Sequence, residues 1–161
     1  MALWQFTLDL IPSSAAKVNG VDAIQMTREQ LDEIEPEIPT QKKASLFQRL
    51  DALLSEKEPW SPDLRIWGDE KSHDVQIWLE GGRIESFQLR LDVANPSFPI
   101  IDGMCSLARD LQCVFAAREG AIIQPSAEAI ARAVMQSPAM RFVRDPEGFI
   151  RAAIQSDSSK H

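Results

Sequence analysis

Between Leu64 and Val93 the chain alternates apolar and polar residues around a Gly81-Gly82 pair, and no other stretch restricts the fold as much. Val75, Ile77 and Leu79 alternate with Gln76, Trp78 and Glu80, the period-two pattern of a strand with one buried face. Paired glycines suit a tight hairpin turn that needs positive φ at both central positions, so a second strand is expected from Arg83 to Val93. Within it Ile84 is out of phase with Phe87, Leu89, Leu91 and Val93, which a one-residue bulge near Glu85-Ser86 would repair. Leu64-Arg65-Ile66-Trp67 supplies a third strand, and the segment predicts an antiparallel meander.

Around this meander the sequence alternates strand and helix signals. Trp4, Phe6, Leu8 and Leu10 alternate with Gln5, Thr7 and Asp9 and predict a first strand, followed by a loop over 13–25 with a turn at Asn19-Gly20. Thr27 and Gln30 have capping-box spacing, with Met26 and Leu31 placed as a hydrophobic staple, so a short helix starts there and Pro36 and Pro39 stop it. Thr40 is expected to cap a second helix bearing Phe47, Leu50, Leu53 and Leu54, and the two helices are read as one unit. Residues 55–63, polar and interrupted by Pro59 and Pro62, read as a linker.

Ile100 to Leu111 recurs at helical spacing, although Gly103 weakens that helix by about 1 kcal/mol relative to alanine. Cys113–Ala116 and Ala121–Ile123 flank Arg118-Glu119-Gly120 as a hairpin; both runs are apolar on both faces, which predicts central strands. Ser126, Pro138 and Asp145-Pro146 each start a terminal helical segment, and Phe142, Phe149, Ile150 and Ile154 are expected to dock these on the core. The result is one α+β domain over residues 1–155 with an antiparallel sheet of five to six strands and helices mainly on one face, followed by a frayed tail at 156–161.

A chain of 161 residues can bury a core without metal or disulfide staples. The net charge of -7, from 24 acidic against 17 basic residues, repels phosphate backbones and anionic lipid, so nucleic acid and membrane are not expected partners and a basic protein is. Residues Met1 to Leu10 carry no basic leader or cleavage motif, and no run reaches the roughly 18 apolar residues of a membrane span, which places the chain in the cytoplasm. Cys105 and Cys113 lie eight apart, about 12 Å along a helix, and are read as reduced core residues.

Few residues offer chemistry. His161 ends the chain, leaving His73 with Asp69, Glu70 and Asp74 as an imaginable oxygen-rich metal site of a hydrolase, against the simpler reading of a solvated loop. No nucleophile elbow or phosphate loop occurs, so no catalytic residue, metal ligand or cofactor is assigned.

Binding is the better expectation. With Val75, Ile77 and Leu79 facing the core, the opposite face is read as presenting Gln76, Trp78 and Glu80 with Arg65 and Trp67, and with Gln88, Arg90 and Asp92. Tryptophan and arginine ringed by polar groups are common interface anchors. The competing reading covers these tryptophans with the Pro59-Trp60 loop or the terminal helices as a second small core. Residues 22–37 carry Asp22, Glu29, Asp32, Glu33, Glu35 and Glu37 against Arg28, either a solvated helix face or a patch that steers a basic partner.

Trp67-Gly68, His73 through Ile84, Leu89-Arg90-Leu91-Asp92, and Ser137-Pro138-Ala139-Met140-Arg141-Phe142-Val143 before Asp145-Pro146 resemble a group of small bacterial proteins over roughly residues 64–150. Small acidic proteins of this kind are similar to immunity proteins encoded beside secreted antibacterial toxins, including type VI secretion effectors. That resemblance implies neutralisation of a toxin by direct binding and carries no catalytic residue. An effector adaptor or chaperone is the alternative. The expected partner-binding set is Trp67, Trp78, Arg65, Gln76, Glu80, Arg90 and Asp92 with Asp32, Glu33 and Glu35; the oligomeric state stays open.

Overall fold

The computed structural model describes residues 4–159. In chain order its elements are β1 (Gln5–Pro12), β2 (Lys17–Val18), β3 (Val21–Asp22), α1 (Arg28–Asp32), α2 (Thr40–Leu53), β4 (Glu56–Lys57), β5 (Leu64–Gly68), β6 (Asp74–Glu80), β7 (Arg83–Asp92), α3 (Phe98–Asp110), β8 (Cys113–Ala117), β9 (Ile122–Ile123), α4 (Ala127–Met135), a 3-10 turn (Pro138–Phe142) and α5 (Pro146–Ser158). Seven strands form one antiparallel sheet in the order β4-β5-β6-β7-β1-β8-β9, while β2 and β3 pair as a small separate hairpin around Asn19-Gly20. The α+β architecture matches the expectation, with one or two more strands. Among the described residues no helix is long and apolar enough to cross a membrane.

The meander forms as read. Gly81 and Gly82 have φ of 58° and 82°, and Glu80 pairs with Arg83 across the turn. Trp78 pairs with Ser86 but Leu79 pairs with Ile84, so Glu85 is the extra residue that restores the phase of Ile84.

Alternation then divides the sheet into two faces. Phe6, Leu8, Leu10, Val75, Ile77, Phe87, Leu89, Leu91 and Phe115 join one apolar cluster with Leu46 and Leu50 of α2, Met104 and Leu107 of α3, Ile130 and Val134 of α4 and Phe149 of α5. This helix layer is close-packed: a Cβ on Gly103 would lie 2.5 Å from a Leu53 methyl, so the residue that weakens α3 locally is the one that lets α2 approach it. Cys105 and Cys113 are buried and not joined in a disulfide, and burial pushes the Cys113 thiol up to about 11.

A smaller cluster lies on the other face, where Ile11, Val114 and Ala116 meet Met26, Leu31 and Ala16. Here α1 crosses the sheet, held by its capping box, with Thr27 Oγ1 accepting from the Gln30 amide and Gln30 Oε1 from the Thr27 amide.

Several local expectations need correction. The α1 and α2 helices are not one unit, because they cover opposite faces of the sheet. Pro39, not Thr40, occupies the cap position of α2, and no side chain caps it. The 55–63 segment is more than a linker, since Glu56 and Lys57 pair with Trp67 and Ile66. β1 is buried on both faces rather than one, lying between β7 and β8. β8 is interior as read, but β9 is the outermost strand, where the Ile122 amide donates to the Ile24 carbonyl and Gln25 bridges to Ala121. Ile154 does not dock on the core and is 39% exposed.

The supposed frayed tail is ordered as far as Ser158. Asp157 accepts from the amides of Ala127 and Glu128 at 2.8 and 2.9 Å, and Ser156 bonds Asp102 of α3. Lys160 and His161 lie outside the described residues, as do Met1 to Leu3.

Candidate functional site

Strand pairing fixes what the face opposite the helix layer presents. One row across it runs Ile66, Gln76, Gln88, Asp9 and Ala116; the next holds Leu64, Trp78 and Ser86, and on the other side Gly68, Asp74, Arg90 and Thr7 form a third. Side chains facing each other across antiparallel strands share a face.

This pairing separates the expected anchors. Trp67 pairs with Val75 and Arg65 with Ile77, so both point into the helix layer and not towards Trp78. Trp67 is 0% exposed, stacks on Phe47 with centroids 5.5 Å apart and donates from Nε1 to Asp51 at 2.8 Å. The Arg65 guanidinium lies 4.0 Å from the Phe47 ring and pairs bidentately with Glu56 at 2.7 and 2.8 Å. Trp67 is therefore core and Arg65 is engaged within the fold.

The end of the open face nearest the 69–73 loop is closed. Gln5 donates to the carbonyls of Glu70 and Ser72 at 2.9 and 2.6 Å, and Trp4 to that of Lys71, bringing the loop against β1. Beneath it Asp74, fully buried, accepts two bonds from Arg90, which raises the guanidinium pKa further. Asp92 accepts from the amides of Ala94 and Asn95 and so shapes the turn after β7. Arg90 and Asp92 hold the scaffold instead of projecting as anchors.

The imagined metal loop resolves in the same way. His73 Nδ1 accepts from the Asp92 amide at 3.0 Å, which puts its proton on Nε2, donated to the Asn95 carbonyl at 2.9 Å. Both ring nitrogens are thus committed to the fold. Asp69 accepts from the Lys71 amide, which lowers its carboxyl pKa, aided by Lys57. Among the described residues no group of three or more His, Cys, Asp or Glu could hold a metal ion.

At the other end α1 stands over β1, β6, β7 and β8 and leaves a cleft of about 410 Å³. Its sheet side is formed by Asp9, Ile11, Trp78, Ser86 and Ala116, and its other side by Arg28, Leu31 and Asp32 of α1 with Ile34, Glu35 and Pro36 just after it, with Glu85 of the bulge at the edge. Burial raises the Asp9 carboxyl above its ordinary value; Arg28, a hydrogen bond with Gln88 and Arg118 oppose the shift, and Asp32 adds to it. Arg28 reaches Asp32 at 3.3 Å and the Arg118 carbonyl at 3.4 Å, and Arg83 approaches Glu35 at 3.6 Å.

Beside the cleft, the ring of Trp60 meets Trp78 edge-on with centroids 5.3 Å apart. Trp60 is 67% exposed, whereas Trp78 is half-buried. The Pro59-Trp60 loop thus shields Trp78, as the competing reading of the sequence had it, but the shield is itself an exposed aromatic.

Of the expected set, the structure brings together Trp78, Asp32 and Glu35 at the cleft, with Gln76 on the same face. Glu33 and Glu80 are exposed away from the cleft lining. Sequence reasoning missed Asp9, Arg28, Glu85 and Trp60 as members of the site. The available signal for Asp9 was a carboxylate between Leu8 and Leu10 in the first strand. No family model, curated protein or solved structure matches the chain.

Proposed function

We propose that this chain is an immunity-type binding protein that neutralises a basic antibacterial toxin by docking on it and occluding it. The observation that carries the reading is the exposed Trp60 seated on Trp78 beside a cleft whose charged lining is mainly carboxylate. An aromatic anchor supplies contact area at low entropic cost, while surrounding carboxylates accelerate encounter with a cationic surface and reject acidic ones. The overall charge of -7 and the resemblance to immunity proteins support the same direction. Gln76 and Gln88 extend the surface without charge. Trp60 joins the expected Trp78, Asp32 and Glu35, and Trp67 and Arg65 drop out.

The test is co-expression with the toxic product of a gene adjacent to the chain's own, read as growth rescue, together with an in-vitro measurement of toxin inhibition. Trp60→Ala is expected to weaken inhibition by about 2 kcal/mol, near thirtyfold, as a hot-spot truncation does. Full inhibition by a Trp60→Ala, Asp32→Lys, Glu35→Lys triple variant overturns the proposed face. Binding that leaves toxin activity intact overturns the immunity role in favour of a chaperone.

A further inference from the structure

We propose that the cleft beneath α1 receives one arginine side chain of the partner protein, between the Asp9 carboxylate on the sheet, the Asp32 carboxylate of α1 and the Glu35 carboxylate of the segment that follows it, with the Trp78 indole as a side wall. This rests on the binding reading above and names the group that the site recognises.

Three independent features favour a guanidinium. The first is shape: about 410 Å³ is at the small end of ligand sites, ample for a side chain entering from an opposing surface. The second is charge. Four carboxylates line the cleft, those of Asp9, Asp32, Glu35 and Glu85, against one lining cation, Arg28, which Asp32 and the Arg118 carbonyl already engage; outside the lining Arg83 lies 3.6 Å from Glu35 and Arg118 acts on Asp9, which still leaves the carboxylates in excess. The third is the aromatic wall, because a planar, weakly hydrated guanidinium pairs with carboxylates through its edge and stacks on indole through its face. An ammonium satisfies the charge but gains less from the wall, and the carboxylates are not grouped to hold a bare metal ion.

Asp9 has a particular place in this arrangement. It projects from an interior strand, between Gln88 of β7 and Ala116 of β8, and its burial disfavours the ionised form. A cation arriving in the cleft reverses that penalty, so a carboxylate that is costly in the free protein becomes favourable in the complex.

The experiment titrates a blocked tripeptide, acetyl-Ala-Arg-Ala-amide, into isotope-labelled protein and follows the Trp78 indole and the Asp9 and Gln88 amides by NMR. Saturable shifts at these three positions are expected in the millimolar range, about tenfold weaker with Asp9→Asn or with lysine replacing arginine in the peptide, and absent with alanine. Glu35→Gln, on the rim, provides a second weakened variant if Asp9→Asn folds poorly. Shifts mapping elsewhere, or equal affinity in the wild type and in the Asp9 and Glu35 variants, overturn the assignment. Toxin inhibition separates it from the parent reading: full inhibition by Asp9→Asn alongside loss with Trp60→Ala removes the arginine receptor and leaves the immunity role. Full inhibition by both variants removes the arginine receptor and the proposed docking face together.

Discussion

The two faces of the sheet are built from the same strands yet follow opposite rules. Facing α2 to α5, aliphatic and aromatic side chains interlock until even a methyl on Gly103 would collide, and the one tryptophan present, Trp67, has its indole nitrogen bonded to Asp51. On the far side polar and apolar residues share the rows, the cover is partial, and a tryptophan lies exposed on another. A protein needs one close-packed face for stability, and the second face is then free to keep groups that stability alone would remove. Where a tryptophan sits relative to the sheet therefore says more about its role than the residue type does.

The sharpest way to break this contrast is to truncate one tryptophan from each face. Trp67→Ala is expected to cost about 3–5 kcal/mol in urea unfolding, from lost burial and the cavity left behind, and Trp60→Ala less than about 0.5 kcal/mol. Equal losses would mean that the far face is a second core.

Next in size is the covered end of that face. Arg90→Met leaves the fully buried Asp74 without its cation and should cost about 3 kcal/mol, whereas Arg90→Met with Asp74→Leu should recover much of the loss. A double-mutant cycle with no coupling would show that the pair is weakly engaged.

Asp157→Ala tests the helix layer more gently. It removes the carboxylate that satisfies two first-turn amides of α4, and a loss of about 1 kcal/mol is expected, detectable as faster hydrogen exchange at Ala127 and Glu128.

The smallest effect has the opposite sign. Burial raises the Asp9 carboxyl pKa in the folded protein, so as pH climbs the unfolded chain releases this proton first and folded stability falls through the window between the two values. Asp9→Asn should therefore melt at a slightly higher temperature than wild type at neutral pH, with the advantage vanishing below the ordinary carboxylate range. A lower melting temperature at pH 7 would show that Arg28 and Arg118 outweigh burial.

The meander, its glycine turn, the bulge at Glu85 and the capping box of α1 were all legible, because each depends on neighbours in sequence. What the sequence hid was parity. A five-residue loop separates Gly68 from Asp74, and nothing in its composition says whether Trp67 comes to face Val75 or Gln76. A slip of one residue reverses every side chain of a strand, and the structure placed Trp67 and Arg65 on the covered side. Glu56-Lys57 was too short to show a period, and β9, apolar throughout, lies at an edge because the Ile24–Met26 segment and α4 shelter it. Half of the cleft was visible as the Asp32 and Glu35 patch; Asp9 was not, since only the return of α1 across β1 gives that strand position an overhang.

The pairing of Gln25 and Ile24 with the outer strand has a further consequence for how the molecule behaves in a crowded solution. An unoccupied strand edge invites other chains to extend it into an aggregate, and here the chain spends its own backbone to occupy those positions. The same short segment leads directly into the capped start of α1, so loosening it would unmask a self-association template and dismantle one wall of the cleft together. Edge protection and the shape of the cleft thus share a single latch.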